Sequence, residues 1–195
     1  AESPVTDAEA VVKAYHTLTF QTPKLAFLLP DNKNFTQTWE VLDIGLDLEY
    51  IYKAKTDNYL IYKEDIKPIY RFREKFSHKG DFGHAVIAGG SYGKIGAVTL
   101  ATKAALTIGS GLVTAHIPKC GYQILQSSIP EVMVEADAEN ELQNFNIQVD
   151  ASVIGIGIGM GTTTETAKGF EKFLKSNKIP LVVDADAINL LSKNK

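Results

Sequence analysis

The placement of glycine constrains this chain more than any other feature. Of its fifteen glycines, Gly45 alone lies before residue 80, and fourteen lie from Gly80 onward. A residue without Cβ serves where backbone turns sharply or approaches another surface closely. The two stretches therefore answer to different demands, and the chain divides somewhere in residues 50–80.

The apolar share, 45%, can supply a core and excludes a disordered chain. The longest apolar runs, 25–29 and 153–158, are far shorter than the ~20 residues of a membrane span. Twenty Lys and Arg against 23 Asp and Glu leave a net charge of −3, so no global basic field recruits nucleic acid. A single cysteine, Cys120, excludes an intrachain disulfide framework and a Cys-cluster zinc site. Glu2, Asp7 and Glu9 near the start do not match the basic-then-apolar layout of a signal peptide. A cytoplasmic protein with no nucleic-acid or membrane partner is expected.

The first stretch predicts three strands, 17–20, 25–29 and 39–44, the first two broken at Pro23. Some 50 residues rarely bury enough surface alone, so this stretch is expected to pack on something else. Residues 53–79 carry eight basic side chains and read as a basic linker. From Gly80 strands and helices alternate. Strands are predicted at 85–88, 112–117, 132–135, 151–156 and 181–183, and helices at 95–108, 121–126 and 163–176. That alternation implies βαβ units, a parallel sheet and right-handed crossovers.

Three strand ends carry chemistry-bearing loops: Gly89-Gly90-Ser91-Tyr92-Gly93, the run from Gly155 to Gly161, and Asp184-Ala185-Asp186 with Asn189 beyond it. In an open parallel sheet, ligands bind outside the carboxyl ends of the strands, so the three are expected to form one composite site. It is not a P-loop, because Gly93-Lys94 is followed by Ile95 and the first glycine position is Ala88. Nor is it a G-x-G-x-x-G fingerprint. Counted from Gly155, Gly157 or Gly159, the sixth position is Met160, Thr162 or Thr164. Bare glycine backbone opening a helix still suits a phosphate or a flat ring. Asp186 fits either a ligand-facing carboxylate or a helix N-cap. His16, His78, His84 and His116 lack metal-ligand spacing, and Cys120 reads as an inert thiol.

The segments His78-Lys79-Gly80-Asp81-Phe82-Gly83-His84, Ala88-Gly89-Gly90-Ser91, Gly96-Ala97, Ser110-Gly111-Leu112-Val113-Thr114 and Pro130-Glu131-Val132-Met133-Val134, with Gly157 to Gly161 and Val183-Asp184-Ala185-Asp186-Ala187-Ile188-Asn189, resemble the NAD(P)H-hydrate dehydratase family. The likeness covers about residues 65–195. Residues 14–24 and 39–46 resemble the end of an NAD(P)H-hydrate epimerase domain, which many bacteria fuse in front of the dehydratase.

The resemblance implies an α/β fold, a ribokinase-like layered sheet with helices on both faces, incomplete here and preceded by a short strand-rich piece of an epimerase-type domain. The implied division is 1–52 epimerase-like, 53–79 linker and 80–195 dehydratase. The implied reaction is ATP- or ADP-driven dehydration of the S form of hydrated NADH or NADPH, with Mg2+ accompanying the nucleotide and K+ serving the epimerase. By carry-over, Ala97 and Gly159 touch the hydrated dinucleotide, Gly157, Gly161, Gly90 and Ser91 complete the loops, and Lys79 helps position phosphate. Asp184, Asp186 and Asn189 are further candidates. Ile158 and Met160 stand where the family usually has proline and leucine. The family's Pro-His-Pro-Gly-Glu and Gly-Thr-Gly-Asp segments do not occur, and neither does the epimerase's Asp-x-Pro-Ser-Gly loop. The catalytic residues are thus expected beyond Lys195, and the chain is expected to be an internal stretch, inactive alone. A homo-oligomer is expected. A ribokinase-like kinase for a small vitamin or sugar is the alternative.

Overall fold

The computed structural model describes residues 3–7 and 9–193, so Glu2 and Lys195 lie outside the described residues. The chain forms two compact units, Ala1–Phe72 and Arg73–Lys195.

The first unit pairs β1 (Ala14–Phe20) with β2 (Thr36–Leu42) in parallel, Thr17 opposite Trp39. The predicted strand at 25–29 is instead a 3-10 turn, Leu25–Phe27. The buried side chain of Asn32 explains the difference. Its Nδ2 donates to the Ala26 carbonyl at 2.8 Å, and its Oδ1 accepts from the Val5 amide at 2.8 Å. These bonds satisfy locally a backbone that would otherwise need a strand partner. Two short helices, α1 (Leu48–Lys53) and α2 (Lys63–Ile66), follow. Asp47 caps α1 by accepting from the Glu49 and Tyr50 amides.

The second unit is a five-stranded sheet, entirely parallel, built of β3 (His84–Gly89), β4 (Leu112–Ile117), β5 (Met133–Ala136), β6 (Val153–Ile158) and β7 (Leu181–Val183). Four helices complete it: α3 (Ile95–Thr107), α4 (Tyr122–Ser128), α5 (Thr164–Ser176) and α6 (Ala185–Lys193). Both faces are covered, as the alternating pattern requires. Ile95 and Val98 of α3 and Leu125 of α4 pack on Val113, Ala115 and Ile117. Phe170 of α5 and Ala187 and Leu190 of α6 pack on Val86, Ala88, Ile154 and Ile156 across the other face. Among the described residues, no helix is long and apolar enough to cross a membrane.

The strand order is β5-β4-β3-β6-β7. From β3 the chain winds outward through β4 and β5, then returns to the opposite side of β3 for β6 and β7. The reversal puts a topological switch point between β3 and β6, and the carboxyl ends of the strands at such a point are where open parallel sheets bind ligands.

Candidate binding crevice at the carboxyl ends of β3 and β6

The crevice is floored by backbone. Ala88 pairs with Ile156, but Gly89 pairs with Ile158, so Gly157 bulges out of the ladder at a φ of +115°. A Cβ there would stand 2.0 Å from the Asp184 carbonyl oxygen and 2.7 Å from the Ala187 Cβ. Glycine at 157 is thus what lets the β7–α6 junction close against β6. The Gly90 amide donates to the Ile158 carbonyl at 2.8 Å, and the Ser91 hydroxyl donates to the Gly159 carbonyl at 2.9 Å. These two bonds tie the loop after β3 to the loop after β6. Gly159 sits on the first turn of α3, where a Cβ would come within 3.3 Å of the Ala97 Cβ and 3.2 Å of the Lys94 carbonyl. Around this floor, the Cβ positions of Gly93, Gly96 and Gly161 open onto empty space.

Asp186 settles one sequence ambiguity. Its Oδ2 accepts from the Gly161 amide at 2.9 Å, 25 positions away along the chain, so the carboxylate clamps the glycine loop instead of capping its own helix. Asn189 Nδ2 lies 3.5 Å from Asp186 Oδ1, and the exposed Lys94 reaches to 4.0 Å from Oδ2. The Asp184 side chain is exposed, while its carbonyl accepts from the Ala187 amide at the start of α6. Asp186→Asn is expected to weaken the clamp by about 1–2 kcal/mol, the worth of one charge-assisted bond. Faster hydrogen exchange at the Gly161 amide, with exchange in β3 unchanged, is the measurement that checks it.

The structure therefore gathers Gly90, Ser91, Ala97, Gly157, Gly159, Gly161, Asp184, Asp186 and Asn189 around one crevice. It does not bring Lys79 there. Lys79 lies in the 3-10 turn Lys79–Phe82 before β3, and a Cβ on Gly111, just ahead of β4, would collide with its carbonyl. That is the amino edge of the sheet, roughly 20 Å from the crevice at ~3.3 Å per strand residue. Cys120 follows β4, its amide bonded to the Glu139 carbonyl. Burial pushes its thiol up, helped by the charge of Glu139, which suits an unreactive side chain. Lys94, which follows Gly93 in a segment that is not a P-loop, is brought beside Asp186 by the fold alone. Among the described residues, no group of three or more His, Cys, Asp or Glu could hold a metal ion.

Comparison with known proteins bears on the same segment. Residues 85–195 match the family profile described as NAD(P)H-hydrate dehydratase. The chain is 34% identical to the bifunctional NAD(P)H-hydrate repair enzyme Nnr of Moorella thermoacetica, over 93% of this chain and 36% of that protein. It is 36% identical to the ADP-dependent (S)-NAD(P)H-hydrate dehydratase of Staphylococcus aureus, over 63% of this chain and 45% of that protein. Among solved structures, a ribokinase-like superfamily protein of Enterococcus faecalis superposes with a TM-score of 0.54 at 28% identity, covering 63% of this chain and 44% of that one. The chain thus spans between a third and a half of the length of these relatives.

Proposed function

This chain belongs to the NAD(P)H-hydrate dehydratase family, and from that membership we propose that the crevice between β3 and β6 receives the nicotinamide dinucleotide in its hydrated S form. The observation that carries this reading is the half-buried backbone at the switch point, where Gly159 lies against Ala97, with the exposed Gly93 and Gly96 and the half-buried Gly161 around it. A flat ring and a diphosphate can approach such a floor as closely as backbone permits. Ser91 and Asp186 hold the two loops in register, Gly157 admits the β7–α6 junction, and Gly90 admits the first turn of α3. Asp184 and Asn189 are exposed next to Asp186.

The reaction proposed for the whole protein removes water in two stages. A phosphoryl group is transferred from ATP or ADP, to which Mg2+ would be bound, to the ring hydroxyl. Phosphate then leaves with the hydroxyl oxygen as a ring proton is lost, which restores the double bond of NADH or NADPH. Hydroxide is a poor leaving group and phosphate a good one, so the nucleotide supplies the driving force. The residues performing that transfer are proposed to lie outside these 195, since the Gly-Thr-Gly-Asp segment is absent from them. Residues 1–52 are proposed to belong to a fused epimerase that interconverts the R and S hydrates with K+, and 53–79 to be the linker between the two.

Equilibrium binding tests the reading. The chain is expected to take up hydrated NADPH, and Ala97→Leu to weaken that uptake about ten-fold, or ~1.4 kcal/mol, with little change in melting temperature. Ala97 is half-buried at the helix start, so its replacement fills the floor and not the core. Absence of uptake by the unaltered chain, or equal uptake by the variant, would remove the crevice from the proposal. Recovery of reduced-nicotinamide absorbance with ATP or ADP by these 195 residues alone would overturn the placement of the catalytic groups. Release of a free phosphorylated product would point to a kinase.

A further inference from the structure

Away from the crevice floor, the second unit buries a histidine and an aspartate that the proposed reaction does not use. His116, near the end of β4, is 2% exposed, and neither ring nitrogen has a hydrogen-bond partner. Both nitrogens nevertheless face carboxylates. Nδ1 is 3.4 Å from Glu135 Oε2 and Nε2 is 3.8 Å from Asp137 Oδ2. The ring stacks on Phe145 at a centroid distance of 6.4 Å, beside the small Ala88 that pairs with it across the sheet. The other charged group nearby is Lys119, which lines the same polar cleft of about 600 Å³ and points its ammonium to 3.9 Å from Glu139.

A neutral imidazole carries one N–H and one lone pair. In this setting it can offer a donor to one carboxylate and must turn a lone pair toward the other. Only the imidazolium donates to both.

The two carboxylates are also the anchors of the irregular segment that joins β5 to β6. Asp137 accepts from the Gln143 and Asn144 amides at 2.7 and 2.8 Å and from Asn144 Nδ2 at 2.7 Å. Glu135 accepts from the Gln148 amide at 3.2 Å. Between these anchors the segment reaches the crevice twice. The Asn140 carbonyl accepts from the Tyr92 amide at 2.8 Å, in the loop after β3. Glu141 Oε2 accepts from the Thr163 hydroxyl at 2.7 Å, and Thr163 caps α5 beyond the glycine loop. The strap is strained as well as tied, since Phe145 sits at a φ of +48°.

We propose that His116 is a positioning residue whose protonation clasps residues 137–148 and thereby fixes the loop at Tyr92 and the start of α5 around the crevice. Protonated, it joins Glu135 to Asp137 and holds the strap down. Deprotonated, it sets a lone pair against a carboxylate, and the strap loosens at the end that carries Asn140 and Glu141. The consequence for dinucleotide binding rests on the function proposed above, whereas the clasp itself does not.

The test needs no substrate, so its failure is separable from failure of the functional reading. In the isotopically labelled chain, the ring nitrogens of His116 and the exchange protection of the Tyr92 amide are followed together from about pH 5 to pH 8, the range of histidine titration. The expected result is an imidazolium at the acid end, with Tyr92 protection falling about ten-fold as the proton leaves while Ile154 protection in β6 holds. His116→Gln, which keeps volume and hydrogen bonding but cannot become a cation, is expected to show the lower Tyr92 protection throughout. A ring that stays neutral across the range, a ring that titrates with Tyr92 unmoved, or a glutamine variant with wild-type Tyr92 protection would each overturn the clasp.

Discussion

Gly157→Ala is expected to lower the stability of the second unit by about 4 kcal/mol, through overpacking and a backbone conformation open only to glycine. Two penalties act at once. The new methyl would have to displace the Asp184 carbonyl, 2.0 Å from its position, and that carbonyl is the acceptor for the Ala187 amide at the start of α6. The φ of +115° would meanwhile be strained for any L side chain. At roughly 2–4 °C per kcal/mol for a chain of this size, the thermal transition should fall by about 10 °C. Gly161→Ala separates the two penalties. Its φ is +83°, but nothing stands within 4 Å of the added Cβ, so only the ~1–2 kcal/mol of a left-handed residue applies. Equal losses at the two positions would show that the close approach of Asp184 is not what requires glycine at 157.

That contrast marks where sequence reasoning reaches its limit. The strands and helices between residues 84 and 183 are legible because alternating runs of buried apolar residues leave few other arrangements, and the observed ends differ from the expected ones by a residue or two; α6, at Ala185–Lys193, is not among the expected helices. The convergence of three loops was legible because an all-parallel sheet puts its strand ends on one side. Which glycine meets which neighbour was not, because that depends on how far apart in sequence the contacting carbonyls lie: Asp184 for Gly157, Gln143 for Gly169, Lys79 for Gly111. The first unit shows the same limit. Residues 25–29 have the apolar content of a strand, and the hydrogen bond from the buried Asn32 side chain to the Ala26 carbonyl accompanies a 3-10 turn at Leu25–Phe27 instead. Asp186 offered two sequence readings, and only its bond to Gly161 distinguishes them.

The His116 cluster was missed for a related reason. Its histidine was judged by spacing to other histidines, whereas its partners are carboxylates on the adjoining strand and the strap beyond it. A signal was present. Thr114 and His116 are the polar members of an otherwise apolar strand, both fully buried on the face that Phe145 covers. Polar residues at alternate positions of a buried strand have to find partners. Thr114 finds His84 Nε2 at 2.7 Å, and His116 is left facing Glu135 and Asp137.

Asp137→Asn is the second change expected to act strongly, costing about 3 kcal/mol at neutral pH, the cost of leaving several buried donors poorly matched. The carboxylate is 2% exposed, gathers the Gln143, Asn144 and Phe145 amides and the Asn144 side chain, and lies 3.8 Å from Nε2 of His116. An asparagine keeps one oxygen and turns an NH2 toward the other donors. Burial alone would raise the acid's pKa, but the contact with His116 and the bonds from Asn144 and Gln143 outweigh it and hold the carboxyl well below the ordinary carboxylate range. A group depressed in the folded state stabilises fully above its unfolded value, about 3.9, and loses that contribution as pH falls toward the folded one. Wild type and variant should therefore differ most from neutral pH down to about pH 4 and converge below it. Denaturant unfolding at a series of pH values reads the difference directly. A variant as stable as the wild type at pH 7, or a gap that widens in acid, would show that Asp137 does not anchor the strap.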